Sequence, residues 1–283
     1  MSNLFLGLGI SILATFVPLY LGLYLPTLAG SFRTKKDHRQ LILLFTGVSS
    51  GVMFWFFLDV MNDAALLGVN QGFSGGATHV VLAVLFAFAL LLFFGLETVL
   101  STFTRSSQNT SSHPNTSEQI STNSRQLGAR AISITFVVSA IIAFGIGFHA
   151  VGEGIEIGGI LQYTPSIINA IGGLGPAIAY VIHKILEGLV IGTFALLAGV
   201  PRKGIRLPAL GLIAGIPTII GLFIGLYSLI DPTYFFALGG AVVVFAEYKL
   251  IPRFLEMGDS KYLSVVTVLL GFYLMYLAGL FHG

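Results

Sequence analysis

The chain has 283 residues, of which 55% are hydrophobic and 9% charged, with a mean hydropathy of +0.91. A water-soluble domain carries about 25% charged residues, so the 14 Lys and Arg and 12 Asp and Glu present here are too few to cover a solvated surface. Composition therefore excludes a soluble enzyme, a nucleic-acid binder and a disordered protein, and the absence of cysteine excludes disulfides and zinc–thiolate sites.

A membrane-spanning helix needs roughly 20 mostly apolar residues. In chain order, runs at about 4–29, 40–61, 79–103, 131–159, 171–199, 207–230, 233–251 and 261–281 meet that requirement. They predict an all-α polytopic membrane protein, a single eight-helix transmembrane bundle over 1–283. Basic clusters, Pro201, Asp231-Pro232 and the Gly-Asp-Ser at 258–260 separate the runs. The connection 104–130 is rich in Ser, Thr, Asn and Gln and reads as a flexible loop between spans three and four. No basic residue precedes the first apolar run, so the N-terminus does not read as a cleaved signal peptide.

The charges are one-sided. Thirteen of the fourteen cations lie in or beside alternate connections: Arg33, Lys35, Lys36 and Arg39; Arg105, Arg125 and Arg130; Arg202, Lys203 and Arg206; Lys249, Arg253 and Lys261. The positive-inside rule places those connections, 104–130 included, in the cytoplasm and both termini outside. The expected setting is a multi-pass protein of the plasma membrane. Lys249 and Glu247 fall near a cytoplasmic end, where snorkelling or a local ion pair explains them as well as function does.

The fourteenth cation, Lys184, lies deep in span five. Ionisable residues at such depth are costly and face a bundle interior or a polar pathway. Asp59, Glu97, His149, Glu153, His183 and Glu187 raise the same question, as do Glu156 and Glu247. Two histidines stand out because each precedes a glutamate by four residues: G-F-H-A-V-G-E-G-I-E-I-G at 147–158 and V-I-H-K-I-L-E-G-L-V-I-G at 181–192. Positions i and i+4 share a helix face, so each helix presents an imidazole and a carboxylate together. His149 and His183 lie about 10 and 12 residues from the outer ends of their spans, or roughly 15–18 Å at the helical rise. Two nitrogens and two carboxylates at one depth suit a divalent transition metal. The glycines that follow (Gly154, Gly158, Gly188, Gly192) give small faces that let the helices approach closely.

The duplicated H-x-x-x-E-G-hydrophobic-x-I-G pattern resembles the ZIP (Zrt/Irt-like) family of divalent-metal transporters. Supporting segments are L-D-V-M-N-D-A at 58–64, F-F-G-L-E-T-V-L at 93–100 and G-G-A-V-V-V-F-A-E-Y-K-L-I-P at 239–252. The resemblance implies His149, Glu153, His183 and Glu187 as metal ligands, with the metal as substrate rather than cofactor. There are departures. Ala150 and Lys184 stand where the family has polar residues that help hold a second metal, and 207–230 has no acid where the family has one. These losses imply one metal, with the Lys184 ammonium in place of the second. Glu156 is an extra acid one turn beyond Glu153, and the long loop carries only His113.

The expected function is a permease, not an enzyme, moving zinc, iron or a similar ion toward the cytoplasm. Asp63 and other acids near the outer ends attract the ion, and the histidines must be neutral to ligate, so binding weakens in acid. Asp59, Asp63, Glu97, Glu156, Lys184 and Glu247 are additional pathway candidates. The expected partners are the metal ion, the lipid bilayer and a second copy in a homodimer, with no nucleic acid. Two rival readings use the same residues: a membrane-embedded metal-dependent hydrolase, and a ZIP-like carrier that has lost metal transport through Lys184.

Overall fold

A computed structural model describes residues 2–28, 35–70, 76–109, 134–163, 173–201, 204–228, 230–257 and 261–280, with side chains except at 2–8, 35–37, 63–70, 76–79, 103–109, 257 and 261. The described residues form eight α-helices and no strand: α1 (Ser2–Leu28), α2 (Lys35–Asn70), α3 (Gly76–Asn109), α4 (Phe136–Leu161), α5 (Leu174–Leu197), α6 (Arg206–Tyr227), α7 (Thr233–Met257) and α8 (Lys261–Gly279). All eight are long and apolar enough to cross a membrane. A hydrocarbon core offers the backbone no hydrogen-bonding partner, so a helix, which satisfies its own N–H and C=O groups, is the form such runs must take.

Several ends differ from the hydropathy boundaries for local reasons. Helix α4 begins at Phe136 because the Thr135 side chain accepts from the Val138 N–H at 3.4 Å. Helix α5 stops where Gly199 takes φ +66°, and the Gly199 and Val200 N–H groups donate to Leu196 and Ala195 carbonyls at 3.0 and 2.9 Å. That left-handed closure is open to glycine at little cost. Helix α3 continues through Asn109, six residues into the Ser/Thr-rich connection, and residues 110–133 lie outside the described residues.

Three helix pairs are joined backbone to backbone: α4 with α6, α1 with α5, and α2 with α8. A Cβ on Gly154 or Gly158 would run into the carbonyls of Thr218 and Leu222 on α6, and one on Gly221 or Gly225 into those of Val151 and Ile155. Gly188 and Gly192 meet the Leu19 and Leu23 carbonyls of α1 in the same way, and Gly51 and Gly271 join α2 to α8. This corrects one expectation. The motif glycines seat α4 on α6 and α5 on α1, and do not press the two motif helices against each other. The reason is angular: each glycine is one or five residues from its glutamate, about 100° or 140° around the axis, and on these helices that face is turned outward from the paired side chains.

Helix α7 packs on α2, α3 and α4 through side chains. Val242 fills the space beside Gly145, and the Phe236 ring lies on Gly152. The motif helices are the most enclosed, with 72% of the span residues of α4 and of α5 buried, against 17% for α3 and 22% for α8. The bundle therefore places the two His-x-x-x-Glu helices at its centre and turns α3 and α8 toward lipid.

Candidate metal centre

The site is built from α4 and α5 alone. His149, Glu153, His183 and Glu187 each offer one ligand atom, and these atoms all lie within 4.8 Å of one another. The residues retain 5%, 3%, 4% and 3% of their exposure, so the group is sealed from bulk solvent. Oε1 of Glu153 lies 3.5 Å from Nε2 of His149 and 3.3 Å from Nε2 of His183, and Oε1 of Glu187 lies 3.3 Å from the same His183 nitrogen. These spacings exceed the usual length of a charge-assisted hydrogen bond. These three are close to the edge of a tetrahedron around a zinc-like ion, about 3.3 Å for metal–ligand bonds near 2.0 Å, while the four atoms as a set spread over 4.8 Å.

The other carboxylate oxygens are turned the opposite way. Nζ of Lys184 donates to Oε2 of Glu187 at 2.6 Å and pairs with Oε2 of Glu153. Lys184 is 1% exposed, and its ammonium lies 5.6 Å from the centroid of the Tyr180 ring, whose hydroxyl is 3.0 Å from that of Thr15. Each glutamate thus bridges an imidazole side and an ammonium side. The two carboxylates carry one negative charge more than the lysine neutralises, and that charge sits beside two imidazole nitrogens. That surplus of negative charge favours a cation on the imidazole side of the carboxylates, away from the ammonium.

His149 is held by rings. Its imidazole meets Phe56 edge-on at 4.3 Å between centroids, lies 4.9 Å from Phe236, and stacks on His183 at 5.8 Å with 10° between planes. Its Nδ1 has no hydrogen-bond partner among the described residues. Metal-binding histidines commonly donate that proton to a carbonyl or carboxylate, so here aromatic packing from α2 and α7 does the orienting.

The remaining candidates are elsewhere. Glu156 faces outward on α4 and is exposed, outside the buried group. Asp59 is partly exposed on α2 and also outside it. The side chain of Asp63 lies outside the described residues. Glu97 receives a 2.8 Å bond from Lys249, and Glu247 accepts from Ser50 at 2.8 Å. Lys249 is 1% exposed and pairs with Glu97 of α3, so of the readings open for it the ion pair is formed and snorkelling is not. Its position inside the apolar run 233–251 was the available signal. Phe56, Phe236, Tyr180 and Thr15 were missed, since an aromatic or hydroxyl residue in an apolar helix carries no spacing signature.

No protein-family model matches the chain, and no curated protein matches it. Among the described residues, the structure establishes eight helices of membrane-spanning character and a buried His/Glu group that could hold a metal.

Proposed function

We propose that the protein is a divalent metal-ion permease of the ZIP (Zrt/Irt-like) kind. The observation that carries this reading is the convergence of two His-x-x-x-Glu pairs from α4 and α5 into one buried set of two nitrogens and two carboxylates. Such a donor set without sulfur suits zinc, iron(II) and similar ions better than copper(I). A hydrated ion arriving from the side of the termini exchanges water for His149, Glu153, His183 and Glu187, and leaves toward the basic connections as the bundle changes access. Both imidazoles must be neutral to bind, so loading releases protons and weakens as the medium is acidified. Lys184 serves as a fixed charge on the far side of both carboxylates, where a second ion would otherwise sit.

The test is uptake of radioactive zinc or iron into sealed vesicles holding the purified protein. Ion-dependent accumulation that disappears in Glu153→Ala supports the permease; no accumulation by the parent for any divalent ion tried overturns it. A second reading is favoured by one observation. Lys184 already pairs with both carboxylates, which is what a carrier of this architecture without metal transport would need. It is selected if the parent neither binds nor moves metal. Orientation is checked separately in this cysteine-free chain. A cysteine at position 2 or 282 is expected to react with an impermeant thiol reagent in intact cells, and one at 112 to be protected.

A further inference from the structure

A cavity of about 350 Å³ lies between α1 and α6, outside the metal centre. Its walls are apolar, with Ile12, Ile219, Leu222 and Phe223 among them, and they include the hydroxyl residues Ser11, Thr15 and Thr218. Thr15 is spoken for by Tyr180. Ser11 and Thr218 are not: they are 5% and 3% exposed, and neither hydroxyl oxygen has a hydrogen-bond partner among the described residues. A buried hydroxyl without a partner costs free energy that the fold normally avoids. Two of them at one apolar cavity describe a ligand site, because small-molecule sites are mostly apolar with a few convergent polar groups.

Depth and surroundings specify the ligand. Ser11 is nine residues after the start of α1 at Ser2, and Thr218 is nine residues before the end of α6 at Tyr227. The cavity therefore runs inward from one membrane surface by roughly 13 Å at the helical rise. Ile12 and Phe223 at its edge are 39% and 47% exposed, so in a bilayer the edge meets hydrocarbon. A ligand that arrives through hydrocarbon, brings acceptors but no donors, and carries an apolar tail is an acyl ester. We infer that this cavity takes one acyl chain of a bilayer lipid, its ester carbonyl accepting from the Ser11 and Thr218 hydroxyls and its chain lying against Ile219 and Leu222. The inner wall is Thr15, whose partner Tyr180 lies under the Lys184 ammonium, so the bound chain abuts the support of the metal centre. The inference stands independently of what the centre transports.

The experiment places the purified full-length protein in phosphatidylcholine bilayers doped with a phospholipid that carries a diazirine on one acyl chain. After irradiation, labelled residues are mapped by peptide mass spectrometry. Labelling is expected to concentrate at 9–15 and 218–223, above the level on the lipid-facing residues Leu269 and Leu270 of α8. Ser11→Leu with Thr218→Val removes both donors and is expected to lower that labelling about tenfold, at roughly a few-fold per hydrogen bond, with α8 labelling unchanged. Gly9→Leu keeps both hydroxyls and fills the edge, since a Cβ there meets nothing within 4 Å; it is expected to exclude the chain as well, and it decides the matter if the double variant fails to fold. Labelling at 9–15 and 218–223 no higher than on α8, or unchanged by either variant, overturns the inference.

Discussion

Among the described residues two lysines are buried, Lys184 and Lys249, and their surroundings differ in one respect that matters. Lys184 pairs with two carboxylates on two helices, Glu153 and Glu187, and both of those carboxylates also face imidazoles. Lys249 pairs with one carboxylate, Glu97, and lies 5.7 and 5.2 Å from the ring centroids of Phe245 and Tyr248. The second arrangement sets its charge against the Glu97 carboxylate and ties α7 to α3. The first leaves a surplus acid next to two imidazole rings. A buried lysine is thus no sign of a functional site by itself; the surplus acid and the imidazoles around it are.

The largest effect that bears on this contrast is loss of a ligand. Replacing His183 or Glu153 with Ala is expected to weaken zinc binding by about 100-fold or more, since even the supporting partners of a metal ligand are worth about 10- to 100-fold. Titration calorimetry on folded protein measures it, and parent-like affinity in either variant would move the site elsewhere. Next comes the fixed charge. The parent is expected to hold one ion per chain by elemental analysis, and Lys184→Asp with Ala150→Asn to hold two; two ions on the parent would refute the assignment of Lys184.

The other lysine should behave as a structural tie. Lys249→Met strands Glu97 and is expected to destabilise by about 3 kcal/mol, whereas Lys249→Met with Glu97→Gln recovers most of that loss. Metal affinity should stay within about twofold in both variants, well under 1 kcal/mol. An affinity change as large as that of the ligand variants would make the Lys249 region part of the site and erase the contrast. Smallest of all, Phe56→Leu is expected to reduce metal affinity by a few-fold, because His149 is oriented by ring packing that contributes about 1 kcal/mol. No change at all would mean that Phe236 suffices.

The gain from the tertiary structure is clearest at the glycines. The sequence shows small faces at Gly154, Gly158, Gly188 and Gly192, yet a small face says only that something comes close. The partners proved to be α6 and α1. On α1 nothing announces this, since Leu19 and Leu23 contribute backbone carbonyls, which have no sequence signature; α6 carries Gly221 and Gly225 four apart, but small residues do not say which helix they meet. The same holds for the cavity between α1 and α6, a space defined by where side chains from two distant segments fail to meet.

By itself the sequence determined the eight membrane-spanning helices found among the described residues and the pairing of each histidine with its glutamate. Both are local: a hydrocarbon core demands about 20 apolar residues in helical form, and a helix places i and i+4 on one face whatever its neighbours do. Only the tertiary structure decided that the two pairs meet within 4.8 Å, that Lys184 faces both carboxylates, and that Lys249 crosses to Glu97 on α3. Those outcomes depend on the rotation of each helix about its axis. In lipid that rotation is set by close packing between helices, because contact with neighbouring chains and contact with acyl tails are equally apolar.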